Sequence, residues 1–178
     1  VILYAPTWRD DRDEMIDDLD PARLAADTGA VLLVRGHSRT ILPGRDAQGT
    51  RVIDVTAYPD MSELLVVADA LVTDYSSVMF DYTATGKPIF FFTPDLAHYR
   101  EQLRGFYFDL VAHAPGPLTT TQEELTAALA NEGIPAAHVD HYANWRARFN
   151  LRDDGHAAER VVARILDQGC VDRDGSTR

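Results

Sequence analysis

Two hydroxyls and a carboxylate stand together where an apolar stretch gives way to a helical pattern. In LVTDYSSVMFDY, residues 71–82, the apolar run ends at Thr73, Asp74 follows, and Ser76 and Ser77 precede the helical pattern. A helix start leaves backbone N–H groups unpaired, so small hydroxyl side chains there suit either an N-cap or a bound phosphate. The stretch has no glycine-rich loop and no Lys followed by Ser or Thr, which excludes a Walker-type site.

A histidine follows another apolar run in the same way. His37 lies in the stretch VRGHS, directly after Arg35 and Gly36. Glycine allows a sharp turn of the backbone, and an imidazole can take a proton from an attacking hydroxyl or, when charged, neutralise a phosphoryl oxygen. We predict a catalytic role for His37, with a histidine on a surface loop as the alternative.

The elements that must position these residues follow from the apolar runs. Strands are predicted at residues 2–5, 30–34, 52–55, 70–73 and 89–92, and helices at 21–27, 61–68, 77–85, 122–131, 136–148 and 155–168. The strand runs are continuous rather than alternating, which is typical of a parallel sheet with helices on both faces. We therefore predict an α/β fold, a Rossmann-like doubly wound parallel sheet with a helical C-terminal extension, over residues 1–168, and a flexible tail at 169–178.

Ligands of such sheets bind beyond the carboxyl ends of the strands. The segments that follow the predicted strands carry hydroxyls, cations and small residues, and the predicted substrate-binding residues are Arg9, Arg35, Gly36, Thr73, Asp74, Ser76 and Ser77. For Asp74 three roles stay open: a helix cap, a partner for a ligand hydroxyl, and a partner for Arg35.

The composition limits the function further. A net charge of -11 argues against a nucleic-acid surface, although residues 35–51 hold four arginines and His37 against one acid, Asp46. That segment is either a solvated loop or a site for a small anion. The one cysteine, Cys170, excludes a disulfide framework, and the pair His138 and His141 lacks a third ligand, so we predict no metal site. No apolar run approaches the roughly 18 to 20 residues that span a bilayer.

Seven stretches occur in an order that resembles one enzyme family. They are YAPTWR, VRGHS, MSELLVVADALVTDYSSVMFDY, GKPIFFF, RGFYFDL, APGPL and DDGHAAERVV. Together they resemble the donor-binding half of the CDP-glycerol glycerophosphotransferases, which include the polymerases and primases of teichoic acids and related capsular polymers. The resemblance extends from about Val1 to Leu166, and the run from Ser62 to Tyr82 carries most of its specificity.

The resemblance implies a fold and a reaction. Such enzymes are similar to GT-B glycosyltransferases, in which two Rossmann-like domains face each other and the C-terminal one holds the nucleotide. The implied donor is CDP-glycerol, the implied acceptor is a hydroxyl of a lipid-linked polyol-phosphate chain, and no cofactor is implied. His37 corresponds to the family histidine at the reacting phosphate, and Ser76 and Ser77 correspond to contacts with the donor phosphates. Arg35 and Asp74 are further carry-overs, whereas Asp81 is assigned a structural role.

One expected motif is missing. The family has a second histidine in an N-terminal domain, in a Trp-His-Gly type motif that this sequence lacks. We therefore expect the chain to be part of a longer protein, to need an N-terminal domain for catalysis, and to be inactive by itself. The resemblance places the parent enzyme in the cytoplasm, peripherally at the inner face of the membrane.

Two other interpretations stay open. A GT-B enzyme that uses a nucleotide sugar would need a carboxylate for the ribose, and Glu123 or Glu124 could supply it. A receiver-like regulatory domain would need an acidic pair after the first strand and Lys-Pro after the fifth. Here Asp10 and Asp11 lie five or more residues past Ala5, and Lys87 precedes its strand, which disfavours that interpretation.

Overall fold

The strands form a single parallel sheet. The computed structural model describes residues 1–7, 9, 19–36, 51–131 and 133–168. Its strands are β1 (Ile2–Tyr4), β2 (Leu32–Val34), β3 (Val52–Asp54), β4 (Ala70–Thr73), β5 (Ile89–Phe92) and β6 (Leu118–Thr119). They pair in the order β3-β2-β1-β4-β5-β6, all in parallel. This is the strand order of a Rossmann sheet, so the predicted fold class is confirmed.

The helices fill the connections and the C-terminal part of the chain. They are α1 (Pro21–Thr28), α2 (Met61–Val67), α3 (Val78–Thr83), α4 (Leu96–His98), α5 (Leu110–His113), α6 (Gln122–Leu129), α7 (Val139–Phe149) and α8 (Ala157–Asp167). A π-helical turn, Tyr99–Leu103, continues α4, and a 3₁₀ turn, Ala136–His138, leads into α7.

Both faces of the sheet are buried, which explains the continuous apolar strands. In β5, Ile89 and Phe91 point to one face, and Phe90 and Phe92 point to the other. Helices α2, α3 and α7 cover the first face, whereas α1 and α6 cover the second. Because alternate residues of a strand face opposite sides, a strand covered on both sides must be apolar throughout.

The helices that follow β1 and β4 lie on opposite faces. α1 packs on the second face and α3 on the first, and β1 and β4 are neighbours at the centre of the sheet. The connections therefore diverge at the carboxyl ends of these two strands and leave a crevice between them. In open α/β sheets this point is the usual place of ligand binding.

The prediction of five strands was incomplete. β6, Leu118–Thr119, pairs with β5 through hydrogen bonds that include Phe91 N to Pro117 O (2.9 Å) and Thr93 N to Thr119 O (2.7 Å). The helical segments between Leu96 and His113 were also not predicted. The order of the strands contradicts the receiver-like interpretation, since that class has its first strand between the second and the third.

Lys87, in the stretch GKPIFFF, connects the start of β5 to helices α2 and α7. Lys87 Nζ donates to the carbonyls of Val66 (2.6 Å) and Ala68 (2.8 Å) at the end of α2. The hydroxyl of Tyr142 in α7 donates to Lys87 O at 2.7 Å. A cation at a helix C-terminus pairs with carbonyls that the helix leaves without partners, so Lys87 has a structural role.

The last helix lies outside the core. No residue of α8 is buried, and Val161, Val162, Ile165 and Leu166 form an exposed apolar stripe along it. None of the helices in the described ranges combines the length and the apolar composition that crossing a bilayer requires. The predicted tail at 169–178 falls outside the described residues.

Gly116 determines how closely β6 approaches β5, which generates a first prediction. A Cβ atom at this position would lie 1.8 Å from the carbonyl oxygen of Ile89, and that obstacle is backbone. We expect Gly116→Ala to lower the free energy of unfolding by at least about 2 kcal/mol in urea titrations. Gly29→Ala is the control, because its Cβ would meet open space and the cost is limited to its positive φ of 65°. An equal or smaller loss for Gly116→Ala than for Gly29→Ala would contradict this account.

Candidate functional site

A cleft opens at the carboxyl ends of β1, β2 and β4. Its volume is about 260 Å³, and it is lined by Ala5, Pro6, Arg35, Gly36, Met61, Ser76, Ser77, Val78 and Asp81. The cleft therefore lies at the divergence point of the sheet, where a ligand is expected. It brings together four of the predicted site residues: Arg35, Gly36, Ser76 and Ser77.

The two serines project into this cleft from the turn between β4 and α3. Ser76 is half-buried and Ser77 is exposed. Ser77 occupies the N-cap position of α3, but its side chain makes no capping hydrogen bond. The hydroxyl of Ser76 accepts a long hydrogen bond of 3.4 Å from Val78 N. Since a good N–H···O bond is about 2.9 to 3.0 Å long, capping engages neither hydroxyl strongly, and both can donate to a ligand.

Arg35 joins the cleft to the loop after β3. Its Nη1 donates to Tyr58 O at 2.7 Å and to Val55 O at 3.3 Å. The N–H of Gly36 donates to Thr56 Oγ1 at 3.0 Å. Arg35 thus lines the cleft while its Nη1 is held by the loop after β3. This arrangement can place a positive charge beside a bound anion.

His37 follows Gly36 in the chain but lies outside the described residues. Its predicted catalytic role therefore stays a prediction. The described part of the cleft ends at Gly36, the residue before it.

Arg9 is buried between two carboxylates. Its Nε and Nη2 donate to Asp95 Oδ2 (2.8 Å) and Oδ1 (3.1 Å), and its Nη1 donates to Thr7 O (2.8 Å). Nη2 also lies 2.9 Å from Asp74 Oδ2. This second contact is an ion pair without hydrogen-bond geometry, because Asp74 Oδ2 accepts no hydrogen bond in the described structure. The side chains of Arg9 and Asp74 are 1% and 2% exposed.

The other oxygen of Asp74 ties two loops together. Oδ1 accepts hydrogen bonds from Thr7 N (2.8 Å), Thr7 Oγ1 (2.6 Å) and Tyr75 N (2.5 Å). The partner of Asp74 is therefore Arg9 and not Arg35, and the cap position of α3 belongs to Ser77. Both of these sequence expectations for Asp74 were wrong.

Burial and the charges of neighbouring side chains both shift the pKa values of Arg9, Asp95 and Tyr75. Burial by itself lowers the pKa of Arg9, but the hydrogen bond with Asp95 and the charges of Asp74 and Asp95 outweigh it and raise that pKa further. Burial raises the pKa of Asp95, and the hydrogen bond and charge of Arg9 reverse this, so that its pKa is lowered. Burial and the charge of Asp95 raise the pKa of Tyr75, whose hydroxyl donates to Asp95 Oδ1 at 3.0 Å.

Three residues that were predicted to bind the substrate are buried in this structure and do not face the cleft. Thr73 is fully buried and donates its hydroxyl to Ala5 O at 2.7 Å, while Arg9 and Asp74 are occupied by each other. The sequence predicted these three residues at the carboxyl edge of the sheet, and they lie there. It predicted that their side chains face a ligand, whereas the structure buries them. Asp95 was not selected from the sequence, and the available signal was an acidic side chain three residues after the end of β5. Asp81, assigned a structural role, is exposed and lines the cleft.

No metal ligands can be assigned from the described ranges. In residues 1–7, 9, 19–36, 51–131 and 133–168, no three side chains of His, Cys, Asp or Glu cluster in a way that could hold an ion.

A protein-family model decides the relationship of the chain. The model of the CDP-glycerol:poly(glycerophosphate) glycerophosphotransferases matches residues 1–167. The chain belongs to this family.

Individual members agree with that assignment. A teichoic acid glycerol-phosphate transferase of Staphylococcus aureus (strain NCTC 8325 / PS 47) is 38% identical over 180 residues, 93% of this chain and 45% of the relative. A teichoic acid poly(glycerol phosphate) polymerase of Bacillus subtilis (strain 168) is 38% identical over 176 residues, 93% of this chain and 24% of the relative. A solved structure of a variant of the wall teichoic acid polymerase TagF, soaked with CDPG, matches with a TM-score of 0.81 at 35% identity, over 94% of this chain and 43% of that one. This chain thus spans less than half of the length of these relatives.

The buried ion pair of Arg9 and Asp95 generates a prediction about stability in acid. A carboxyl whose pKa is lowered on folding stabilises the protein above its unfolded pKa of about 3.9, and this contribution is lost as the pH falls towards the folded value. We expect Asp95→Asn to lower the free energy of unfolding by about 2 kcal/mol at pH 7, because Arg9 loses part of its buried countercharge.

The same reasoning predicts how this difference changes with pH. In urea titrations from pH 7 to pH 3, the difference between wild type and Asp95→Asn shrinks below about pH 4, where Asp95 is protonated in the unfolded wild type. Asp140→Asn, at an exposed position of α7, is the control and shows little change. A difference that stays constant down to pH 3 would exclude a contribution from the ionised Asp95.

Proposed function

We propose that this chain is the donor-binding part of an enzyme that transfers glycerol phosphate from CDP-glycerol to a polyol hydroxyl of a teichoic acid-like or capsular polymer and releases CMP. The observation that carries the proposal is the cleft at the divergence point of the sheet, with two serine hydroxyls that capping leaves available. The family assignment and the glycerol-phosphate relatives support CDP-glycerol as the donor.

In this proposal the pyrophosphate of the donor lies in the cleft. Ser76 and Ser77 donate hydrogen bonds to its oxygens, and the guanidinium of Arg35 offsets part of its negative charge. Hydrogen bonds to charged groups are worth roughly 1.5 to 3 kcal/mol each, so two hydroxyls and a cation supply a large part of the affinity. Gly36 has no side chain that could block the approach of the donor.

The transfer step is a displacement at phosphorus. The acceptor hydroxyl oxygen forms a bond to the glycerol-side phosphorus, the bond from that phosphorus to the bridging oxygen breaks, and CMP leaves with that oxygen. The hydroxyl proton goes to a base, a role that we assign to His37, which directly follows the cleft residue Gly36. Groups that donate to the negative charge on the leaving CMP stabilise the transition state, and we assign this role to the two serines and Arg35.

Arg9, Thr73 and Asp74 are not part of the proposed contacts. Their burial removes them from the surface that the donor would meet. The donor-binding set therefore consists of Arg35, Gly36, Ser76 and Ser77.

The rest of the active site belongs to the parent protein. The chain spans 45% and 24% of two relatives, which leaves more than half of their length for other parts. We propose that an N-terminal domain completes the cleft and receives the lipid-linked acceptor, so that this chain alone is inactive. From the family resemblance we retain the expectation that the parent enzyme works at the cytoplasmic face of the membrane, where such an acceptor is presented.

The nucleotide-sugar alternative finds less support. Glu124 belongs to the capping box of α6, where it accepts hydrogen bonds from Thr120 and Thr121. Glu123 pairs with Arg23 at 2.8 Å on the surface, and neither carboxylate lines the cleft. Titration calorimetry that gives tighter binding of a UDP-sugar than of CDP-glycerol would favour this alternative.

Loss of the two serine hydroxyls tests the donor site. Wild type is expected to bind CDP-glycerol, and the double variant Ser76→Ala/Ser77→Ala to bind it at least about tenfold more weakly, because two charge-assisted hydrogen bonds are removed. Titration calorimetry measures both. Ser62→Ala, at an exposed position of α2 that does not line the cleft, is the control and keeps the wild-type affinity. Equal affinities of wild type and the double variant would remove the serines from the site.

His37→Ala tests the assignment of the base. In the parent enzyme, turnover should fall by roughly 100-fold or more, the scale of a lost acid–base group, because His37 acts mainly in the transition state. Binding of CDP-glycerol should change by less than about threefold. Steady-state rates of CMP release and calorimetry separate the two effects. If His37→Ala abolishes binding while the double serine variant retains it, the two roles have been assigned the wrong way round.

A further inference from the structure

Arg9 connects three loops at the carboxyl edge of the sheet that the strand ladder alone does not connect. Arg9 itself follows β1, Asp74 follows β4 and Asp95 follows β5, and these three strands are neighbours in the sheet. The guanidinium meets Asp95 through two hydrogen bonds and Asp74 through an ion pair of 2.9 Å. Its Nη1 returns to Thr7 O in its own loop. We call Arg9, Asp74 and Asp95 the loop clamp.

Two tyrosines shield the loop clamp. The rings of Tyr75 and Tyr99 stack with centroids 4.1 Å apart, and the guanidinium carbon of Arg9 lies 4.9 and 5.1 Å from these centroids. Tyr75 also donates its hydroxyl to Asp95. The planar guanidinium is therefore held by the carboxylates through its N–H groups and lies beside the pair of stacked rings, a combination of contacts that an ammonium group does not reproduce.

Stability alone is a weak reason for such an arrangement. Burying three charges costs desolvation energy that their mutual attraction barely offsets, and well-packed apolar side chains often stabilise a protein as well. Apolar side chains do not define directions, however, whereas a bidentate Arg–carboxylate pair fixes both the distance and the orientation of the groups that carry it. The loop clamp is suited to setting geometry.

The geometry that it sets is that of the serine turn. Asp74 precedes Ser76 by two residues, and its Oδ1 accepts hydrogen bonds from Thr7 N, Thr7 Oγ1 and Tyr75 N. The segment Pro6–Thr7 and the segment 75–77 therefore keep a fixed separation across the cleft, to which Pro6, Ser76 and Ser77 all belong.

We propose that Arg9 is a positioning residue, which acts through Asp74 and Asp95 to hold the Ser76 and Ser77 hydroxyls where they meet the donor phosphates. This proposal rests on the donor site proposed above. Arg9 touches no substrate; it determines where the residues that do so are placed.

The variant that tests the proposal is Arg9→Lys. Lysine keeps the positive charge but lacks the planar fork, so the two carboxylates lose their common geometry. We expect the affinity for CDP-glycerol to fall at least about tenfold in calorimetry, because a small misplacement of binding groups is costly. Arg23→Lys is the matched control, since Arg23 also contacts two carboxylates, Asp27 and Glu123, but on the surface. It should bind like wild type, and unchanged affinity in folded Arg9→Lys would overturn the proposal.

A second measurement does not depend on any ligand. Hydrogen exchange followed by NMR should show faster exchange, by about tenfold or more, at the amides of Thr7 and Tyr75 in Arg9→Lys, because both donate to Asp74. The amide of Leu71, which donates to Pro88 O inside the sheet, should exchange as in wild type. Equal acceleration at all three amides would indicate general destabilisation and would overturn the positioning role.

A milder variant covers the case in which Arg9→Lys does not fold. Tyr75→Phe removes the hydrogen bond to Asp95 and keeps the ring stack. It should accelerate exchange at Thr7 and Tyr75 by about threefold to tenfold, the scale of one hydrogen bond, and leave Leu71 unchanged. No change at Thr7 would count against the proposal. If wild type fails to bind CDP-glycerol, the donor site is refuted, and the exchange data alone decide whether the clamp orders the loops.

Discussion

A guanidinium held between two carboxylates determines the shape of one edge of this protein. Each of the three charged groups is costly to bury without the others, so the arrangement forms completely or not at all. Its members come from loops that follow three neighbouring strands, and the parallel ladder delivers those loops to the same edge. The sheet thus brings the charges together, and the charges in turn define the loops, including the turn that carries the serines.

The position of the cleft follows from the distribution of helices. A strand such as β5, with Phe90 and Phe91 pointing to opposite faces, requires helical cover on both sides. Since the helices after β1 and β4 leave in opposite directions, the space between the two strand ends stays open. The cleft is a consequence of doubly wound packing, and its chemistry depends on the few residues that line it.

The sequence predicted the class of fold and the location of the cleft, because both depend on local patterns. Continuous apolar runs mark buried strands, and polar residues directly after them mark the binding edge. β6 was missed because two residues, Leu118 and Thr119, between prolines and a helix cap are too short to show a period. Only its hydrogen-bonded pairing with β5 identifies β6 as a strand.

The roles of Arg9 and Asp74 could not be predicted in the same way. A cation after a strand is compatible with a ligand contact and with a buried ion pair, and the sequence does not show which carboxylate reaches it. Asp95 is distant from Arg9 along the chain, and only the folded sheet brings the two together. Ser76 and Ser77 lie between β4 and α3 as the sequence predicts, because the change from strand to helix is visible locally.

The packed core of the described chain ends before the exposed helix α8. The side chain of Asn150 still donates to Phe80 O and accepts from Thr83 Oγ1, which attaches the end of α7 to α3. Beyond that point every described residue is exposed, so truncation after residue 154 would open no cavity in the core. An isolated helix of eleven residues is marginal in water. In the part of the chain that the structure describes, the packed core therefore ends near Asn150, and α8 adds exposed surface without adding to that core.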